Sequence, residues 1–226
     1  MELIVNEIFY SIQGETITSG FTSVFVRLTG CNLECAYCDT RYAREAGMVM
    51  KVNEVVETVA SAGLCDHYTV TGGEPLCQKG APQLLRRLLK LGRPVQVETN
   101  GTILLDVVPA RVRKIVDIKT PSSGHAGSFL MENIPLLTAR DEVKFVVSDE
   151  EDFDFALRFI DAYLSSCPAV INFSPVWGAM EPGRLAGMMI GHRLRARLNL
   201  QIHKAIWPGE DESKVVIKNH TLKKTC

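Results

Sequence analysis

Short apolar stretches alternate with helical ones along nearly the whole chain, and this rhythm restricts the fold more than any other feature. Residues 23–28 (SVFVRL), 67–71, 94–98 (PVQVE), 114–118 (KIVDI), 142–147 (EVKFVV) and 169–173 (AVINF) read as six strands. Between them lie helical patterns. Asn53 is an N-cap candidate before Val55, Val56, Val59 and Ala60 on one face. Pro82 opens and Gly92 closes a helix carrying Leu84, Leu85, Leu88 and Leu89. Ser148 and Glu151 have capping-box spacing ahead of Phe153, Leu157, Ile160 and Leu164. A further helix is expected near 181–197, then a short strand over 198–203. Strands separated by helices imply parallel units with right-handed crossovers. Six units are too few for a closed eightfold barrel, which takes about 250 residues. The expected fold is therefore α/β, a partial, open β/α barrel of about six parallel strands. The Pro-containing link over 105–113 is too short for a full crossover helix, so some crossovers are reduced. Residues 1–207 are expected to form the domain, its N-terminal segment serving substrate binding, and 208–226 a polar C-terminal tail.

Composition narrows the function. The chain has 226 residues, 25 Lys+Arg against 26 Asp+Glu, and a formal charge of −1, which disfavours a nucleic-acid-binding role carried by phosphate neutralisation. No apolar run is long enough to span a bilayer. The N-terminus carries Glu2 and Glu7 and no basic stretch, so a secretory signal is not expected. Seven cysteines, an odd number, do not suit a fully paired secreted scaffold. A cytoplasmic, reducing setting is expected, and the thiols need another explanation.

Cys31, Cys35 and Cys38 supply it. They lie in a loop directly after the first predicted strand, opened by Gly30. Three thiolates within eight residues can wrap one small metal centre. A structural zinc site closes with a fourth Cys or His, and none follows within twenty residues. A 4Fe–4S cluster on three thiolates leaves one iron open to a non-protein ligand. Cys65, Cys77, Cys167 and Cys226 have no such spacing and read as packing or incidental thiols.

The C-x3-C-x2-C spacing, with Tyr37 before the last cysteine, resembles the radical S-adenosylmethionine (SAM) superfamily. So does Thr71-Gly72-Gly73-Glu74-Pro75 at the end of the second predicted strand. The segment from Glu7 to Glu15, Arg27, Cys38-Asp39-Thr40, Glu98 to Gly101, Asp117 to Lys119, Lys144 to Val146 and Gln201 to Lys204 are similar to the 7-carboxy-7-deazaguanine synthases, from about residue 2 to Trp207. That resemblance implies a ring contraction of 6-carboxy-5,6,7,8-tetrahydropterin to 7-carboxy-7-deazaguanine with loss of ammonia, feeding queuosine and other 7-deazapurines. It implies a 4Fe–4S cluster, SAM and Mg²⁺, a homodimer, and a reducing partner such as flavodoxin.

The resemblance also implies residue roles. Cys31, Cys35 and Cys38 would hold the cluster and Thr40 the Mg²⁺. Tyr37, Asp39, Gly73, Glu74, Glu98, Lys119, Ser122 and Ser174 would meet SAM. Ile12, Gln13, Gly14, Glu15, Arg27, Thr71 and His203 would meet the substrate, Arg27 as bidentate partner of its carboxylate. No residue is assigned as a catalytic acid or base. Two other readings stand beside this one: an activase of glycyl-radical enzymes, which shares the cysteine spacing, and a non-catalytic iron–sulfur or zinc module. The polar motifs all follow predicted strands directly, so they should gather at the C-terminal ends of the barrel strands.

Overall fold

The computed structural model describes residues 1–207, 215–218 and 221–223. Its elements run β1 (Glu2–Ile12), β2 (Thr22–Leu28), β3 (Met48–Lys51), α1 (Val52–Ser61), β4 (His67–Gly72), α2 (Ala81–Leu88), β5 (Val95–Thr99), β6 (Arg113–Ile118), β7 (Glu142–Val147), α3 (Glu150–Phe159), β8 (Val170–Pro175), α4 (Pro182–Gly191), β9 (Arg197–Leu198), α5 (Ile202–Ile206), β10 (Val215–Lys218) and β11 (Thr221–Lys223). One sheet holds every strand, in the order β11-β10-β1-β2-β4-β5-β6-β7-β8-β9, with β3 on β1. From β2 to β9 all neighbours are parallel. The two ends do not pair, so the barrel is open, and its parallel part is the six expected strands plus the two-residue β9.

Register divides each strand into two faces. Arg27 lies beside Thr71, Gln96 beside Arg113, Asp117 beside Lys144, and Val146 beside Ser174. This face lines the concave lumen and is largely polar. The alternate residues, among them Val26, Val70, Val97, Val116, Phe145 and Phe173, are almost wholly buried and join the apolar core with Leu84, Leu85, Leu88 and Phe153 of the helices. Side chains on a strand alternate between faces, so one strand can hold an apolar core together and line a polar lumen. The Phe173 ring packs at a tilt against Phe145 and Phe153, with centroids 5.8 and 5.3 Å away, and each ring contributes roughly 1.5–3 kcal/mol by burial.

Several local expectations shift. α1 starts at Val52, not after Asn53; the Glu54 carboxylate accepts from the Lys51 N–H at 2.8 Å. α3 is capped by Asp149, whose side chain accepts from the Asp152 N–H at 3.0 Å. The Ser148/Glu151 box is thus off by one residue, because both acidic neighbours offer the same chemistry one position on. α4 ends at Gly191, short of 197. The strand expected over 198–203 shrinks to β9, and His203 lies on α5. α2 ends as read, with Gly92 left-handed (φ 85°) after a 3₁₀ turn. The link after β5 holds only the 3₁₀ turn Leu105–Val107, a reduced crossover as expected.

β1 and β3 were not recognised as strands. β1 pairs antiparallel with β2, and β10 pairs with β1 at Phe9 and Tyr10. Part of the stretch read as a tail therefore extends the sheet. Residues 208–214, 219–220 and 224–226, with Cys226, lie outside the described residues. Among the described residues no helix is long and apolar enough to cross a membrane.

Candidate active site

The cysteine loop leaves β2 through Gly30, which adopts φ 91°. Cys31, Cys35 and Cys38 are unpaired and half-buried. The loop is strapped to the segment after β6: Ala36 N–H donates to the Ser123 carbonyl at 3.1 Å, and Glu34 N–H to His125 Nε2 at 2.9 Å. The Tyr37 hydroxyl lies 3.4 Å from Thr120 Oγ1, and burial pushes its phenol up to about 12. Among the described residues no three His, Cys, Asp or Glu side chains converge on a single metal ion. Three thiols on one loop can hold a 4Fe–4S cluster with one iron left open, whereas a structural zinc site closes with a fourth ligand.

Gly72 and Gly73 are the reason this loop can sit against β4. A Cβ on Gly72 would lie 2.1 Å from the Leu28 carbonyl oxygen, and one on Gly73 would lie 2.1 Å from that of Gly30. The glycine pair thus serves backbone packing under the cysteine loop as well as any ligand. Glu74, expected at SAM, is engaged within the protein. It is fully buried and accepts from Asn100 N–H (2.6 Å), Thr99 Oγ1 (2.8 Å) and Leu76 N–H (2.9 Å). It brackets the ends of β4 and β5. Ser122 and Ser174 are likewise engaged within the protein. Ser122 donates to Asp149 and, through its N–H, to Asp152, while Ser174 accepts from Asn199 Nδ2 at 2.7 Å.

A chain of alternating charges crosses the lumen below the cysteine loop. Lys119 Nζ sits 3.0 Å from Asp117, Lys144 Nζ 3.5 Å from the same oxygen and 3.0 Å from Glu15 Oε2. Burial pushes Glu15 and Asp117 up, but the lysines outweigh it and hold both carboxyls below their ordinary range. Burial pushes Lys144 down, and Glu15 and Asp117 reverse it, leaving the ammonium well above its usual value. Asp117 Oδ1 is buried without a hydrogen-bond partner. Glu98, also expected at SAM, adjoins this lumen set. It accepts from Gln13 Nε2 (3.1 Å) and Thr71 Oγ1 (2.8 Å), two residues expected at the substrate, and burial raises its carboxyl.

Glu15 and Asp39 are both gripped from α5 and the residue before it. Gln201 Nε2 donates to Glu15 at 2.7 Å and to Asp39 at 3.3 Å, and Lys204 Nζ lies 2.7 Å from Asp39. Lys204 outweighs burial and lowers the Asp39 carboxyl. The His203 ring packs on Gly14, where a Cβ would lie 1.8 Å from Nδ1, so any side chain there would displace the histidine. Burial lowers the His203 imidazole. Arg27 is fixed by Glu7 at 2.8 Å and lies between Phe9 and Tyr42, 5.5 and 5.7 Å from their ring centroids. Thr40 is half-buried, its hydroxyl 3.9 Å from Cys38 Sγ. Ile12 ends β1 beside Thr22.

The structure thus brings together Gln13 to Glu15, Arg27, Thr71, Glu98 and His203 along one wall, and the cysteine loop with Tyr37, Asp39, Gly73 and Lys119 above it; Ile12, paired with Thr22 at the start of β2, stands at the other end of that strand from Arg27. Sequence reasoning gave no role to Lys144, Asp117 or Gln201, which tie these groups together. The signal was present: Lys144 and Asp117 are charged residues inside apolar strands.

The radical SAM superfamily profile matches residues 25–177. A 7-carboxy-7-deazaguanine synthase of Methanospirillum hungatei is 43% identical over 208 residues, 89% of this chain and 84% of its own. One of Koribacter versatilis is 40% identical over 91% of this chain and 97% of its own. The chain belongs to the 7-carboxy-7-deazaguanine synthase family. The crystal structure of QueE from Escherichia coli shares the fold, with a TM-score of 0.74 at 24% identity, covering 88% of this chain and 94% of that one. As a member of this family the protein is a radical SAM enzyme of 7-deazapurine biosynthesis that works with a 4Fe–4S cluster, SAM and Mg²⁺. The residues present fit these groups. Three half-buried thiols share one loop, a glycine-lined turn abuts them, and a hydroxyl, a hard donor of the kind Mg²⁺ takes, adjoins the last cysteine.

Proposed function

We propose that the C-terminal mouth of the barrel is shared between cofactors and 6-carboxy-5,6,7,8-tetrahydropterin. Cys31, Cys35 and Cys38 hold the cluster, and Tyr37, Asp39, Gly73 and Lys119 line SAM. Thr40 takes the Mg²⁺. When bound, the cluster and SAM supply one-electron chemistry that the side chains of this chain cannot. The protein's own contribution is placement. Arg27 is held in orientation by Glu7, Phe9 and Tyr42 and takes the pterin carboxylate. Glu98 and Glu15 accept from the N–H-rich pyrimidinone edge, with Gln13, Thr71 and Lys144 fixing both carboxylates. His203 covers Gly14 and closes that wall. Glu74, Ser122 and Ser174 act as positioning residues.

The observation that carries this reading is the pair of carboxylates, Glu15 and Glu98, held in the lumen under a three-cysteine loop. It distinguishes a small-molecule site from the activase reading, which needs a polypeptide substrate. The protein works as a cytoplasmic homodimer, reduced by a flavodoxin-type donor, with no role for nucleic acid or membrane.

The test is anaerobic reconstitution, then incubation with SAM, Mg²⁺, a reductant and carboxytetrahydropterin, read by mass spectrometry. 7-Carboxy-7-deazaguanine should accumulate. The Cys35→Ala variant should lose cluster iron and sulfide and all turnover. SAM cleavage without pterin conversion would refute the substrate assignment.

A further inference from the structure

At the opposite end of the strands from the cysteine loop lies a second concave site. His67, Gln96 and Arg113 stand at the N-terminal ends of β4, β5 and β6, and Arg111 and Arg140 come from the adjoining connections. Together they line a cavity of about 160 Å³. The base of a β/α barrel normally serves stability; here it also gathers positive charge. Three guanidiniums face one cavity, and among the described residues no carboxylate forms an ion pair with any of them. Nearby acids are committed elsewhere. Asp66 accepts from Thr22 at 2.6 Å, Asp141 pairs with Lys114 at 2.9 Å, and Glu142 accepts from Ile17 N–H and Asn172, although Arg113 is close enough to act on the Glu142 carboxyl.

Two of the guanidiniums are also pre-set. Arg113 Nε donates to the Arg140 carbonyl at 2.9 Å, and Arg140 Nη2 donates to the Ala110 carbonyl at 3.0 Å. Each arginine so engaged has further N–H donors in a planar fork, the geometry that matches tetrahedral oxyanions. His67 adds an independent observation: its Nδ1 is buried with no hydrogen-bond partner. A buried polar atom left so calls for an explanation such as an unseen ligand, and as Nδ1–H it can donate to a ligand oxygen. Burial, then Arg113, holds this imidazole below its ordinary range, against the opposing pull of Asp66 and the Thr22 backbone.

We propose that this cavity binds the phosphate group of a small molecule, either free phosphate or the phosphate tail of a nucleotide. The volume accommodates one phosphate with a few waters. Arg111 and Arg140 are exposed, which leaves the outer side open for a larger body. The site is independent of the substrate assignment at the mouth.

Calorimetric titration of inorganic phosphate, and separately of ATP, into the reconstituted, SAM-saturated holoenzyme tests it. Both should bind saturably, and the Arg111→Gln/Arg140→Gln double variant should bind at least about tenfold more weakly, with pterin turnover unchanged. Phosphate should raise the wild-type melting temperature by linkage and leave that of the double variant unmoved. Tighter binding of ATP than of phosphate identifies a nucleotide; equal binding identifies free phosphate. No saturable heat with either probe, or equal binding by wild type and variant, would overturn the proposal. Because both substituted side chains are exposed, the variant folds, and its melting temperature without phosphate verifies this.

Discussion

Lys144 and Phe145 are neighbours on β7 and belong to different worlds. Phe145 is wholly buried among Phe153, Phe159 and Phe173 on the helix-facing side. Lys144 points into the lumen and holds Glu15 and Asp117. Both cost stability if removed, but for unlike reasons. The phenyl ring contributes through transfer from water and close packing. The ammonium contributes because its absence would leave two carboxylates without their cation in a low-dielectric lumen. One face of the sheet makes the fold; the other makes the site.

The sharpest way to break that contrast is a pair of substitutions. Phe145→Ala should lower unfolding free energy by about 3–5 kcal/mol while the folded fraction keeps its KM for pterin. Lys144→Met should cost a similar amount, about 3–5 kcal/mol, and should also raise KM and depress kcat. Denaturant titration with steady-state kinetics on both variants decides it. If Phe145→Ala shifts KM as much as Lys144→Met, the two faces are not separate in function.

Acid should sharpen the same contrast. The Glu15 and Asp117 carboxyls are lowered in the folded protein. Their contribution is therefore present above the unfolded carboxylate range and lost as pH falls through the folded values. The stability gap between wild type and Lys144→Met should hold from pH 7 down to about pH 4 and narrow as pH falls further, whereas the gap for Phe145→Ala should stay constant. Smaller effects come next. Glu74→Gln keeps one acceptor but loses the carboxylate that gathers Asn100, Thr99 and Leu76, and should cost about 1–3 kcal/mol. Lys204→Gln breaks a partly exposed pair with Asp39 and should cost less than about 1 kcal/mol, visible mainly as weaker SAM binding in equilibrium dialysis.

The apolar alternation in β2 and β4 to β8 was readable because a parallel strand backed by helices leaves a long apolar signature. β1 was not, since its run from Glu2 to Ile12 mixes charged and apolar residues and gains its strand character from pairing with β2, β3 and β10. The Ser148 cap was misplaced by one because Asp149 and Asp152 carry the same signal. The carboxylates were the hardest to sort. Glu74, Glu98 and Asp39 look alike on paper, and only their surroundings divide them. One is satisfied by backbone N–H groups, one is held by Gln13 and Thr71, and one is tied to Gln201 and Lys204.

What the chain's sequence determined alone is local and periodic: the strand and helix rhythm, the polar residues interrupting the strands, and three cysteines in eight positions beside Gly30. These depend on near neighbours and on the fixed two-residue repeat of an extended backbone. What tertiary structure decided is pairing across distance. Lys144 meets Glu15, 129 residues away, Gln201 reaches both Glu15 and Asp39, and Arg140 joins Arg111 and Arg113 around one cavity. No periodicity encodes such contacts. They follow from the register and curvature of the open sheet, which set how far each side chain must reach.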